Sequence, residues 1–392
     1  NIFLMVFLFK KRNKNIWLFG SWNGETYSDN SRYLFEYVVV KYPNVEAVWI
    51  TKNENIKKKL LTENKQCYLS NELIARKLRL NAGFVFFTNG ITDIGSYDLS
   101  HGSKKIALWH GMPLKKLHYA TNPIKNRKKN IIRVIQYIYL KLYNSTDRSI
   151  TIATSKKTKE FLIESFEIKP ENVFVTGQPR NDILFNKNNL IRLRIQFGLS
   201  SKEKFILFIP TWRDFGKQEN YLETIIENLC QDVSFINQLK ERNIILYIKP
   251  HPRVIVKSQS VGNIKIINSS LKIDTQELLS IADSIITDYS SVFIDYALLN
   301  RPIHFFVPDL NDYKKNGNDI FLNFDEFSEH ILTDLNSFKK CIIDNEGLFS
   351  LQGLSNSVKI NSIFNSPSLN KGEYCKTLID TLENNKILTT IN

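Results

Sequence analysis

Hydrophobic positions in this chain cluster in short runs rich in branched and aromatic side chains. Between them lie longer stretches whose apolar residues recur at helical spacing. The first half carries NIWLFGS (15–21), VEAVWIT (45–51), GFVFFTNG (83–90), KKIALWHG (104–111), SITIATS (149–155) and NVFVTGQP (172–179). Strands that alternate with helices predict a parallel sheet covered on both faces. The pattern then restarts with KFILFIPTW (204–212), NIILYIKPHP (243–252), NIKIIN (263–268), DSIITDYSS (283–291) and PIHFFVPD (302–309). The predicted fold class is therefore α/β with two Rossmann-like units.

A polar connector with a helical patch, LIRLRIQFGL, occupies 186–201 and sets the boundary near residue 190. The expected organisation is an N-terminal domain over 1–190 and a C-terminal domain over 191–365. A tail over 366–392, with helical period at 370–388, packs back towards the N-terminal domain.

Composition adds to this picture in two ways. The 392 residues include 53 Lys and Arg against 39 Asp and Glu, a net charge of +14, which calls for an anionic partner. Nucleic acid, a phospholipid surface and a phosphorylated substrate all qualify. Basic and aromatic residues do not alternate as a repeated stacking platform, so nucleic acid is the weakest of the three. The four cysteines (Cys67, Cys230, Cys341, Cys375) are scattered, which argues against a zinc site or a disulfide framework and fits a reducing, cytoplasmic setting. The apolar run at 2–9 is shorter than the roughly 20 residues of a spanning helix, and its positive charges follow it rather than precede it. It reads as a core element or a shallow interfacial anchor.

In open parallel sheets, ligands sit beyond the carboxyl ends of the strands. That rule selects the candidates. His110 follows the strand-like IALW, and Gly111 and Pro113 turn the chain away behind it. A histidine there is either a general base or a loop residue closing a strand. In YIKPHPR (247–253), two prolines hold His251 between Lys249 and Arg253, a composition suited to phosphate or to a rigid polar turn. In ADSIITDYSSVFIDYALLNRP (282–302), a strand leads through Asp288, Tyr289, Ser290 and Ser291 into a helix whose free N–H groups attract an anion. Thr211, Trp212 and Arg213 end another strand in FIPTWRD, and Gly177 and Arg180 stand in TGQPRND. Both arginines suit either a phosphate clamp or an interdomain salt bridge. The stretch 125–144 opens with Lys125, Arg127, Lys128 and Lys129 and continues as an apolar helix with three tyrosines. It fits a helix on an anionic membrane and a core-packing helix equally.

No Walker loop, dinucleotide fingerprint, HExxH, GxSxG or Asp-x-Asp pair is present, so no cofactor or metal is indicated. Taken in order, LWHGMPLKKL, TGQPRND, PTWRD, KPHP and ITDYSSVFIDYALLNRPIHFF, with GSWNGETYSDNSRYLFEYV (20–38) before them, resemble the CDP-glycerol glycerophosphotransferases of teichoic-acid and capsule synthesis. The resemblance covers roughly residues 17–330. It implies two domains facing a cleft in the GT-B manner, with a CDP-glycerol donor on the C-terminal side and a lipid-linked or polymeric acceptor on the N-terminal side. It also implies a peripheral enzyme on the cytoplasmic face of an anionic membrane. By the same resemblance His110 is the base on the acceptor hydroxyl, and His251, Asp288, Ser290 and Ser291 hold the donor phosphates. Thr211, Trp212, Arg213, Lys249, Tyr289, Gly177 and Arg180 are the further candidates for donor and phosphate binding. A CDP-ribitol donor, or a nucleotide sugar on the same architecture, is the alternative. The chain departs from the family pattern at KKNGNDIFLNF (314–324), where an arginine and glycine before an aromatic pair are expected.

Overall fold

A computed structural model describes residues 11–121, 150–212, 221–251, 254, 256–267, 273–316, 320–328, 330–344 and 351–388. The chain divides into two compact units. One takes in the chain to Met112, then Leu117–Asp182 and everything from Ser366; the other holds Pro113–Lys116 and Ile183–Asn365.

The first unit is built on a seven-stranded sheet of order β3-β2-β1-β4-β5-β6-β7. Its strands are β1 (Asn13–Phe19), β2 (Glu46–Thr51), β3 (Cys67–Leu69), β4 (Ala82–Phe87), β5 (Lys104–Ala107), β6 (Ile150–Ala153) and β7 (Val173–Val175). Every pairing is parallel. The central β4 is buried along its whole length, as continuous apolar runs require when helices cover both faces. Trp17, Phe19, Phe35 and Phe86 form an aromatic core in which Phe19 and Phe86 stack with centroids 4.9 Å apart. The helix Tyr374–Asn384 belongs to this unit and buries Cys375, Leu378, Ile379 and Leu382.

The second unit repeats the design with six parallel strands in the order β10-β9-β8-β11-β12-β13. These are β8 (Lys204–Ile209), β9 (Ile244–Ile248), β10 (Ile264–Ile266), β11 (Ser284–Thr287), β12 (Ile303–Phe306) and β13 (Ile331–Leu332). Phe208, Phe306 and Phe338 pack edge to face in its core. The helix Leu351–Phe364 is pinned by buried amides: Asn356 donates to the Ile303 carbonyl at 3.0 Å, and Asn365, just past its end, to that of Ile294 at 2.9 Å.

In both sheets the strand order reverses beside the first strand, between β1 and β4 and between β8 and β11. Loops on either side of such a reversal diverge and leave a crevice at the carboxyl ends. Among the described residues no helix is long and apolar enough to cross a membrane. The apolar run 2–9 and the stretch 125–144 lie outside the described residues.

Candidate active site

In the first unit, one buried carboxylate organises the reversal. Asp93 is fully buried and accepts four hydrogen bonds: from the Asn23 amide at 2.6 Å, the Thr88 amide at 2.8 Å, the Thr88 hydroxyl at 2.9 Å and the Asn89 amide at 2.8 Å. These donors come from the loops after β1 and β4, so Asp93 holds the two sides of the crevice together. Burial pushes its carboxyl above the usual range, and the donated hydrogen bonds oppose that rise. Gly20 follows β1 where a Cβ would lie 2.5 Å from the Asp93 carbonyl oxygen, so no larger residue fits without a shift.

His110 lies three residues beyond β5, half-buried, between two indoles. Its ring centroid is 4.2 Å from that of Trp109 and 4.9 Å from that of Trp22. Trp22 is 39% exposed, an unusual position for so large an apolar side chain. Its indole Nε1 donates to Asp29 Oδ2 at 3.2 Å, and Asp29 Oδ1 is met by Arg180 Nη1 at 2.9 Å. The same Arg180 nitrogen donates to the His110 carbonyl at 2.9 Å. Asn30 completes the cradle, donating to the Trp109 carbonyl at 2.9 Å and to Gln178 Oε1 at 3.2 Å while accepting from the Arg180 amide at 3.1 Å. Trp22, Asn23, Asp29 and Trp109 all carry φ between +47° and +65°, so left-handed backbone gathers around this histidine.

TGQPRND is absorbed into this scaffold. Gly177 has φ +75°, and a Cβ there would come within 2.3 Å of the Tyr374 ring. Asp182 receives the Tyr374 and Cys375 amides at 2.6 and 2.9 Å, capping the last helix. Gly177 and Arg180, expected among the donor phosphates, meet Tyr374 and the His110 loop respectively.

The second unit repeats the carboxylate device. Asp288, 1% exposed at the end of β11, accepts from the Thr211 amide at 2.9 and 3.0 Å and from its hydroxyl at 2.9 Å, tying β11 to β8. With its oxygens turned to Thr211, Asp288 shapes the crevice from within. Beside it a small pocket opens between Pro210, Thr211, Asp288 and Pro308. The exposed His251 stacks towards Trp212, centroids 6.5 Å apart and planes at 25°. Lys249 prolongs the strand pairing through its amide, which donates to the Phe208 carbonyl at 2.9 Å. Burial lowers its ammonium below the usual lysine range, and Asp274 opposes the shift.

Tyr289 is different from the exposed group expected of a donor ligand. It is 1% exposed, its hydroxyl donates to Asp309 at 3.0 Å, and its ring stacks on Tyr313 at 3.5 Å. Ser290 Oγ accepts from the Val292 amide at 3.4 Å, and Ser291 precedes a helix of only six residues without capping it. Arg213, Arg253, Lys125, Arg127, Lys128 and Lys129 lie outside the described residues. The chain just past His110 is built into the second unit. Leu114 accepts from the Phe321 amide at 2.9 Å, Lys115 bridges Ile320, and the Lys115 ammonium lies 5.3 Å from the Tyr313 ring centre.

Asp29, Asn30, Trp22 and Asp93 escaped the sequence reading. Asp29 and Asn30 look like ordinary caps before a helix, and their partners stand some 80 to 150 positions away. Among the described residues no group of three or more His, Cys, Asp and Glu is placed to hold a metal ion.

The family model for CDP-glycerol:poly(glycerophosphate) glycerophosphotransferase matches residues 2–346. A teichoic acid poly(glycerol phosphate) polymerase of Staphylococcus epidermidis is 28% identical over 325 residues, covering 79% of this chain and 42% of that protein. One of the same description from Bacillus spizizenii is 27% identical over 390 residues, covering 95% of this chain and 92% of its own. The chain thus spans about two-fifths of the length of the first relative and most of the second. The solved structure of the wall teichoic acid polymerase TagF shares the fold at a TM-score of 0.74 and 23% identity, over 95% of this chain and 90% of that one.

Proposed function

The chain belongs to the CDP-glycerol:poly(glycerophosphate) glycerophosphotransferase family, and from that premise we propose that it transfers glycerol phosphate from CDP-glycerol to a hydroxyl of a lipid-linked or polymeric acceptor in teichoic-acid-like or capsular polymer synthesis. The observation that carries the reading is the family match over residues 2–346. Two reversed-order parallel sheets support it, because such a pair suits a GT-B arrangement in which a donor and an acceptor each occupy one crevice.

In this reading His110 takes the proton of the acceptor hydroxyl as its oxygen attacks the β-phosphorus of CDP-glycerol. One oxygen–phosphorus bond forms, the bond to the bridging oxygen breaks, and CMP leaves with the electron pair. Such a reaction asks for positioning and charge neutralisation more than for covalent help. The bracketed ring of His110 supports the first. His251 and Lys249, with Arg213 and the chain around Ser290 and Ser291, serve the second at the donor phosphates. Trp212 flanks His251 there. Lys125, Arg127, Lys128 and Lys129 serve a peripheral position on the anionic cytoplasmic membrane face.

The test is incubation of purified protein with an acceptor and, separately, CDP-glycerol, CDP-ribitol or UDP-sugars. CMP release that is greatest from CDP-glycerol supports the reading. UDP release without CMP release sinks it, and a preference for CDP-ribitol replaces the donor.

A further inference from the structure

We infer that Asp29 is a positioning residue for the reaction, holding His110 from two sides through Trp22 and Arg180; this rests on His110 being the base. The geometry is convergent. One carboxylate oxygen receives the indole N–H whose ring lies against the histidine, at 3.2 Å. The other receives the guanidinium that also grips the histidine's carbonyl, at 2.9 Å to each. Asp29 therefore couples the ring's neighbour to the ring's own backbone.

The Asp29 and Arg180 side chains are only 8% and 12% exposed, so solvent does little to loosen the pair. Asp29 holds φ +65°, a conformation that an aspartate tolerates better than most residues but that the surroundings must enforce. Next to it, Asn30 binds the carbonyls of Leu108 and Trp109, and Asp29 reaches that of His110 through Arg180, so the three residues leading to the imidazole are fixed. A histidine on a loop three residues beyond its strand would otherwise sweep a cone of directions. A base displaced by about 1 Å loses on the order of 100-fold in rate.

The experiment compares kcat and donor KM in Asp29→Asn, Arg180→Gln, Trp22→Leu and Trp22→Phe, with melting temperature as a control. Expected is a fall in kcat on the order of 10- to 100-fold in the first three, with donor KM within about twofold of wild type. Trp22→Phe keeps a ring against His110 but removes the N–H that Asp29 receives, so its kcat should fall by a similar factor. Should Asp29→Asn fail to fold, Trp22→Phe carries the test, since it removes only the N–H given to Asp29 and the side chain is partly in solvent. Wild-type kcat in Asp29→Asn, wild-type kcat in Trp22→Phe, or a raised donor KM at unchanged kcat in Arg180→Gln overturns the inference. The last result would place Arg180 on the donor. His110→Ala run alongside separates the two claims: if it keeps full turnover, the base assignment falls. If it is inactive while Asp29→Asn is not, only the positioning role falls.

Discussion

Each unit closes its strand-order reversal with a buried aspartate, yet the two devices differ. In the first, Asp93 gathers four donors from two loops and stands apart from the candidate base, which is carried by β5 and fixed by Asp29, Asn30 and Arg180. In the second, Asp288 accepts from the amide and hydroxyl of Thr211 and forms part of the pocket wall itself. One crevice is braced from behind and the other is lined by its brace. A rigid bracket suits a group that must meet a reacting proton, whereas an open, half-exposed rim suits a ligand that must enter and leave.

Breaking the braces should expose that contrast. The largest effect is expected from Asp93→Ala, which strands four donors in a dry interior and should cost about 3–5 kcal/mol of stability, read by denaturant unfolding. Asp288→Ala should cost about 2–3 kcal/mol and, unlike Asp93→Ala, weaken CDP-glycerol binding in the protein that remains folded, as read by calorimetry. Gly177→Ala should lose about 1–3 kcal/mol from its positive φ and the crowding against Tyr374, with donor KM unchanged. Tyr289→Phe should cost only about 1 kcal/mol, the bond to Asp309, and leave donor affinity intact.

The smallest effect is one of pH. Because the folded-state pKa of Asp93 is raised, folding takes up protons there; its contribution is fully present below the ordinary carboxylate range and is lost as pH rises through the raised value. Asp93→Asn, though weaker at every pH, should lack that part of the slope when unfolding is followed from pH 4 upwards.

The sheets were legible because their central strands are long apolar runs, buried on both faces and bounded by polar turns. Two edge strands were not: β3 and β13 have only three and two residues in mostly polar stretches, whereas β7 and β10, no longer than β3, stand in apolar runs. The predicted boundary near 190 compares with a division after Asp182, because Asp182 itself caps the last helix of the first unit and the following turn begins the second. At the site, histidines at strand ends could be found by position alone. The bracket around His110 could not, since Asp29 and Arg180 are 151 positions apart and neither matches a motif with a single chemical meaning. Tyr289 shows what a turn motif leaves unsaid: a residue inside a polar turn reads as a ligand, while its buried ring stacks on Tyr313.

The account divides the labour between a base in the first unit and donor binding in the second, and one paired measurement tests that most directly. CDP-glycerol binding and CMP release are to be measured on His110→Ala and His251→Ala. The account predicts that His110→Ala binds the donor like wild type but releases no CMP, while His251→Ala loses donor affinity. Lost donor binding in His110→Ala, or undiminished CMP release from it, would contradict the account.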